Sequence, residues 1–291
     1  MKPRVRIVDT AFAHAPNSFG CGNLVDIIPN DFTWYRGSEQ IGNVIVITES
    51  CFHLVDQCPE KIKIGLIIEP PQISPTTYSD IRNPQLNSKF DYILTYNRQL
   101  IEENPEKFKF YGFGGCWINP DDRKLYIGEK TKNVSIVASS KRSADGHLMR
   151  HAAIETYRDK IDGVFGNGYK FVENKLEALK EYRFSIAIEN DNNVDMFSEK
   201  LIDCFLTGCI PIYYGCRGLA NQYFDTSCML IFNTLEELGK CLEQATEETY
   251  NRMMQNFDGI QYNWQQAYRF AVPENDIWSQ HLSKYVNDLS L

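Results

Sequence analysis

The chain has 291 residues, 43% hydrophobic and 13% aromatic, enough to bury two cores of ordinary domain size. Its 30 basic and 38 acidic side chains leave a formal charge of −8, which repels a phosphate backbone and excludes nucleic acid as a main partner. The cysteines number nine and form no Cys-x-x-Cys, a usage that fits reduced, buried thiols rather than disulfides or a zinc site.

Near the start, the apolar stretch is only Ile7 and Val8 before Asp9 interrupts it, so no signal-peptide core is read there. Other apolar runs, such as 44–48 and 66–68, fall far short of the roughly 20 residues of a membrane helix. The expectation is a cytoplasmic protein without an integral membrane segment. Short β runs follow at 4–9, 43–48, 63–69, 90–96 and 107–112, separated by Gly, Pro and Asn. Helical pattern is sparse here, at 49–57 and 98–103. The polar stretch 119–133 carries many charges and little to bury, which sets the expected domain boundary near 130.

Beyond it the rhythm changes. Strands are expected at 134–139, 163–165, 184–188, 210–214 and 229–232, alternating with helices at 147–160, 172–181, 197–206, 219–224 and 234–245, before a mostly helical tail, 247–288. Such alternation means right-handed crossovers and a parallel sheet, with ligands at the carboxyl ends of the strands, where helix N-termini favour anions. The informative loops are therefore those after Ser139, Phe165, Ile188 and Tyr214. In the third of them Ser198 reads as a helix N-cap, Glu199 suits the positive helix end, and Lys200 is a cation beside free backbone donors. A diphosphate suits that corner.

Three segments in order, Tyr182-Arg-Phe-Ser-Ile-Ala-Ile-Glu-Asn190, Phe197-Ser-Glu-Lys-Leu201 and Gly208-Cys-Ile-Pro-Ile-Tyr-Tyr-Gly215, closely resemble the signature of glycosyltransferase family 10, the α-1,3/1,4-fucosyltransferases. The strand Val134-Ser-Ile-Val-Ala-Ser-Ser140, Arg150, and Gly166-Asn-Gly168 resemble that family's strand, donor-binding arginine and glycine loop. Lys63-Ile-Gly-Leu-Ile-Ile-Glu-Pro-Pro71 resembles its Glu-Ser-Pro element with Pro70 in place of the serine, and 90–96 resembles the strand after it. Where the family commonly has an aromatic residue three positions before the motif glutamate, this chain has Met196, with Phe197 beside it.

The resemblance implies an α/β chain of GT-B architecture, with two Rossmann-like domains facing a cleft. An acceptor-side domain would span 1–130 and a donor-binding domain 131–270, with a final helix at 271–291 returning to the first. It implies a nucleotide-sugar donor, bound by Ser139, Arg150, Gly166, Gly168, Glu189, Asn190, Ser198, Glu199 and Lys200, and a saccharide acceptor. Arg150 and Lys200 would stabilise the departing diphosphate, with Arg142 a rival for the arginine role, and Glu69 would be the general base of an inverting transfer of L-fucose from GDP-fucose. Another donor, such as UDP-xylose, or a non-catalytic homologue binding glycan or nucleotide, are the alternatives. No metal box is read, since no Asp-x-Asp ends a strand. No cofactor is expected, with a divalent cation at most a stimulant. His147 and His151 lie four apart on one helical face without a third ligand, and are expected to be solvated or to face phosphate.

Overall fold

The computed structural model describes residues 2–10, 29–37, 39, 42–112, 114–192 and 195–288; Cys21, with its expected buried thiol, lies outside them. By their internal contacts, Met1–Phe113 with Val272–Leu291 form one unit and Gly114–Ala271 a second.

The first unit is built on strands β1 (Arg4–Val8), β2 (Thr33–Tyr35), β3 (Val44–Thr48), β4 (Ile62–Leu66), β5 (Tyr92–Thr95) and β6 (Phe108–Phe110). Helices α1 (Pro75–Asp80) and α2 (Pro84–Asn87) precede β5, and α3 (Arg98–Glu103) follows it. The strands are all parallel in the order β2-β1-β3-β4-β5-β6. Every residue of β3 and β5 is buried, as expected of inner parallel strands covered on both faces, whose sequences read as unbroken apolar runs. The segment expected as an α-helix at 49–57 is instead a 3-10 helix, Glu49–Gln57. Both α1 and α2 were absent from the sequence reading; each opens on a proline, whose fixed φ suits a first helical turn but marks a loop in a sequence scan.

The second unit runs β7 (Lys132–Val137), α4 (Asp145–Thr156), β8 (Gly163–Phe165), β9 (Tyr182–Ile188), α5 (Glu199–Leu206), β10 (Ile210–Tyr214), α6 (Arg217–Tyr223), β11 (Leu230–Ile231), α7 (Leu235–Gln244), α8 (Glu247–Met254) and α9 (Phe257–Phe270). Its strands are again all parallel, in the order β11-β10-β9-β7-β8. Counted from each unit's own first strand, both sheets begin 2-1-3-4-5, a doubly wound order. The strand order reverses between β1 and β3 in the first unit and between β7 and β9 in the second. The helix expected at 172–181 is only a 3-10 turn, Lys175–Ala178: a capping box of Asn174 and Glu177 starts it late, and Leu179 ends it before β9.

The polar stretch 119–133 belongs to the second unit, so the division falls earlier than the charges indicate. The Trp117 N–H donates to Asp203 Oδ1 at 2.9 Å, and the buried Lys130 ammonium donates to the carbonyls of Leu179 (3.0 Å) and Thr207 (2.9 Å). A lysine whose donors are met by carbonyls does not need water, and sequence alone does not distinguish it from a solvated one. The two ends of this unit meet: Gly115 N–H donates to the Phe270 carbonyl at 2.9 Å. A Cβ on Gly114 would stand 2.4 Å from that same oxygen, so glycine is needed for the approach.

The closing segment, α10 (Glu274–Ile277) and the π-helical turn Trp278–Leu282, is part of the first unit. Trp278 stacks on Phe32 with ring centroids 5.5 Å apart, and the Tyr92 hydroxyl donates to the His281 carbonyl at 3.0 Å.

Candidate active site

At the exit of β9 in the second unit, Glu189 is fully buried and its carboxylate accepts from the Ser198 N–H (2.9 Å) and the Ser198 hydroxyl (2.6 Å). Ser198 is also the N-cap of α5, as the sequence indicated, accepting from the Lys200 N–H. The Lys200 ammonium donates to Ser198 Oγ at 2.9 Å and pairs with Glu199 Oε1 at 3.1 Å and Glu189 Oε2 at 3.6 Å. Burial alone would lower the Lys200 pKa, but Glu199 and Glu189 outweigh it and raise it. Burial likewise works to raise Glu199, yet Lys200 and Lys175 hold its carboxyl down at about 2. Both ions therefore persist across the physiological range.

Arg150 reaches the same place from α4. It is buried, its Nε donates to the Ile188 carbonyl at 3.1 Å, and one Nη donates to that carbonyl and to Asn190 Oδ1, the latter at 2.9 Å. Burial pulls its pKa down, against Glu189 and Glu199. Its rival Arg142 points elsewhere, to the exposed Glu155 at 3.7 Å. The close approach of α4 to β9 rests on Gly146, where a Cβ would lie 1.8 Å from the Glu189 carbonyl oxygen. Arg150, Glu189, Asn190, Ser198, Glu199 and Lys200 are thus one cluster at the β7/β9 switch point, where an open parallel sheet leaves its ligand crevice.

Ser139, Gly166 and Gly168 form a neighbouring group at the β7 and β8 exits. Gly166 (φ 109°) and Gly168 (φ 95°) take left-handed conformations, and a Cβ on Gly166 would lie 2.1 Å from the Ala138 carbonyl oxygen. Ser139 Oγ accepts from the Lys141 N–H at 3.4 Å. The histidines expected at solvent or phosphate are both buried. His151 is fully engaged, between the Tyr169 hydroxyl (2.7 Å) and the Lys141 carbonyl (3.1 Å). His147 bonds Ser143 Oγ at 3.3 Å, and burial, with Arg150, Lys141, Lys200 and His151 around it, pushes its pKa down to about 4.

Phe197 does not replace the missing aromatic at Met196. It is fully buried, edge-on to Phe270 (4.9 Å) and Phe224 (5.2 Å), with no face to offer a sugar. Sequence reasoning also passed over Lys175, whose ammonium pairs with buried Asp203 at 2.7 Å and helps hold Glu199 ionised. Among the described residues, no group of three or more His, Cys, Asp or Glu could hold a metal ion.

In the first unit, Glu69 is partly exposed just past β4. Its N–H donates to Glu49 Oε1 at 2.8 Å, and its carbonyl accepts from the Tyr78 hydroxyl at 2.8 Å.

The profile described as "Glycosyltransferase family 10 (fucosyltransferase) C-term" matches residues 127–287, more than half of the chain. The chain belongs to glycosyltransferase family 10. Among relatives of this family 10 chain, the mouse protein named 4-galactosyl-N-acetylglucosaminide 3-alpha-L-fucosyltransferase 9 is 22% identical over 209 residues, 69% of this chain and 48% of the relative. An alpha-(1,3)-fucosyltransferase FucT of Helicobacter pylori is 38% identical over 56 residues, 19% of this chain and 12% of that protein. The chain spans about half the length of the curated mammalian relatives it matches. A solved α1,3-fucosyltransferase shares its fold, with a TM-score of 0.52 at 16% identity, covering 94% of this chain and 91% of that one. The two parallel-sheet α/β units are those of the GT-B architecture.

Proposed function

We propose that the chain transfers a sugar, L-fucose from GDP-fucose as the first choice, to a saccharide hydroxyl with inversion. The observation that carries this reading is the charged corner at the β9 exit, where Lys200 and Arg150 converge with Glu189 and Glu199. Lys200 is held charged at the N-terminus of α5, and the guanidinium of Arg150 is fixed beside it by the Ile188 carbonyl. In the proposed step the acceptor hydroxyl gives its proton to the Glu69 carboxylate while its oxygen bonds the anomeric carbon. The bond from that carbon to the diphosphate oxygen breaks, and the leaving group takes the electron pair. Lys200 and Arg150 meet the charge that develops there, a task that a bound cation could also perform, and we propose no resident metal. The relatives' names support fucose as the sugar and a galactosyl-N-acetylglucosaminide as the first acceptor to try.

We place its work in the cytoplasm. Eight free cysteines among the described residues, seven of them buried, support a reducing compartment. Recovery of the native protein in a secreted fraction would overturn this.

Calorimetric titration with GDP, UDP and their sugar conjugates tests the donor. GDP-fucose is expected to bind, with a loss of at least tenfold in affinity in Lys200→Ala, because a charged contact to phosphate contributes about 1.5–3 kcal/mol. Preference for a uridine nucleotide would replace the sugar. Unchanged affinity in the variant would remove Lys200 from the phosphate site.

A further inference from the structure

Glu49 is the first residue after β3, beside the β1/β3 switch point of the first unit, and its carboxylate faces the exit of β4. Its Oε1 accepts two successive backbone donors, Ile68 N–H at 3.2 Å and Glu69 N–H at 2.8 Å. On the other side of the same residue the Tyr78 hydroxyl holds the Glu69 carbonyl at 2.8 Å and lies 3.0 Å from the Tyr96 hydroxyl. The Glu69 backbone is thus pinned at both its N–H and its C=O by side chains from other elements. The last sheet-like bond before it is Ile67 N–H to the Leu94 carbonyl, 2.9 Å. Glu49 Oε2 is buried without a hydrogen-bond partner among the described residues, an arrangement that is costly for a carboxylate.

We infer that Glu49 is the positioning residue for the Glu69 carboxylate, fixing the peptide from which the base projects. This rests on reading Glu69 as the base. Glu49 does not itself exchange a proton with substrate in this scheme; it acts through the Glu69 peptide, and a loosened peptide misplaces the base. A displacement of about 1 Å in a reacting group can cost on the order of 10²-fold in rate. Burial, partly offset by the peptide donors of Glu69, Glu49 and Ile68 and reinforced by the like charge of Glu69, raises the Glu49 carboxyl to about 7. The acceptor Oε1 serves in either protonation state, as the amide oxygen of glutamine would.

The test uses the whole chain, with GDP-fucose as donor and N-acetyllactosamine as acceptor, and three variants. Glu49→Ala is expected to lower kcat by about 10²-fold with KM for both substrates and GDP affinity unchanged, while hydrogen exchange speeds up at the amides of Ile68 and Glu69. Glu49→Gln, which keeps the acceptor oxygen, is expected to restore kcat to within a few-fold and to restore slow exchange. Glu69→Gln is expected to abolish turnover with GDP binding retained. If Glu69→Gln is inactive while Glu49→Ala keeps full kcat or unchanged exchange at 68 and 69, the positioning role is overturned and the base stands. If Glu69→Gln turns over normally, the base is elsewhere and the inference falls with it. If Glu49→Gln is as impaired as Glu49→Ala, the carboxylate's charge matters rather than its position, which also overturns it.

Discussion

Two glutamates of this chain carry opposite pH signatures, and both are measurable. Glu199 is held down at about 2 against an ordinary 4.5, so between those values the unfolded chain binds a proton that the folded chain does not. Its contribution is present above pH 4.5 and is lost as pH falls toward 2; over that window it amounts to up to about 3 kcal/mol. Glu49 is raised to about 7, so here the folded chain keeps a proton that the unfolded chain has lost, and stability drains away as pH rises from 4.5 to 7. Glu49→Gln cannot ionise. Its stability relative to the parent chain is therefore expected to grow between pH 5 and 8, by up to about 3 kcal/mol, read as the gap between the two urea midpoints. A gap that is constant with pH would mean that Glu49 ionises normally. At this scale Ser198, Glu199 and Lys200 were legible as an N-cap, an acidic first turn and a following cation, which leave a linear trace in sequence, while Arg150 was read from resemblance to the family's arginine. Glu49 and Lys175 were not, because what gives them meaning is a partner 19 to 28 residues away, at Ile68 and Asp203.

Among the elements, the strands were read more surely than the helices, for a physical reason. Inner parallel strands such as β3, β5 and β10 are buried on both faces, so they appear as short apolar blocks that need no periodicity to be seen. In β2, Thr33-Trp-Tyr35, there is no run of aliphatic residues to see, and α1 and α2 are disguised by their opening prolines. The reverse error, a full helix at 172–181, came from apolar spacing that the Asn174 cap cuts to a single turn. The placement of α4 also depends on something spacing does not register, the absence of a side chain at Gly146. Gly146→Ala would drive a methyl group into the Glu189 carbonyl, so α4 must back away and carry Arg150 with it. The expected outcome is a loss of about 1–3 kcal/mol in stability together with weaker nucleotide binding. Full nucleotide affinity with reduced stability would show that the location of α4 is not what sets the arginine.

On the scale of the whole chain, the sequence pointed to two α/β units of parallel sheet, and the structure has them; the crossing points were harder. Charge density at 119–133 suggested a linker, yet Lys130 there is capped by carbonyls and Trp117 just before it is tied to Asp203, all within the second unit. Only tertiary contacts distinguish a charged stretch that is packed from one that is not. The division has an unequal character: Gly114–Ala271 is one continuous piece, whereas the other unit is assembled from the two ends of the chain. The continuous piece has its own sheet, core and charged corner. Expressed alone, 114–271 is expected to melt in one cooperative transition that GDP shifts upward, since a ligand of the folded state adds to its stability. A melt that is absent, or insensitive to every nucleotide diphosphate, would show that the corner is not self-sufficient.

The bond between Gly115 and the carbonyl of Phe270 gives that piece an unusual kind of independence. Where a chain enters and leaves a module through adjacent points, the module can be grafted into or lifted out of a host loop without re-threading the rest, much as a domain insertion is. A gene lineage could then trade this segment as a cassette, and whatever its charged corner binds would be inherited separately from the work of the other unit. Gly114 is the residue that would betray such an exchange: any side chain there forces the two threads apart, so a functional graft must bring its own glycine to the seam.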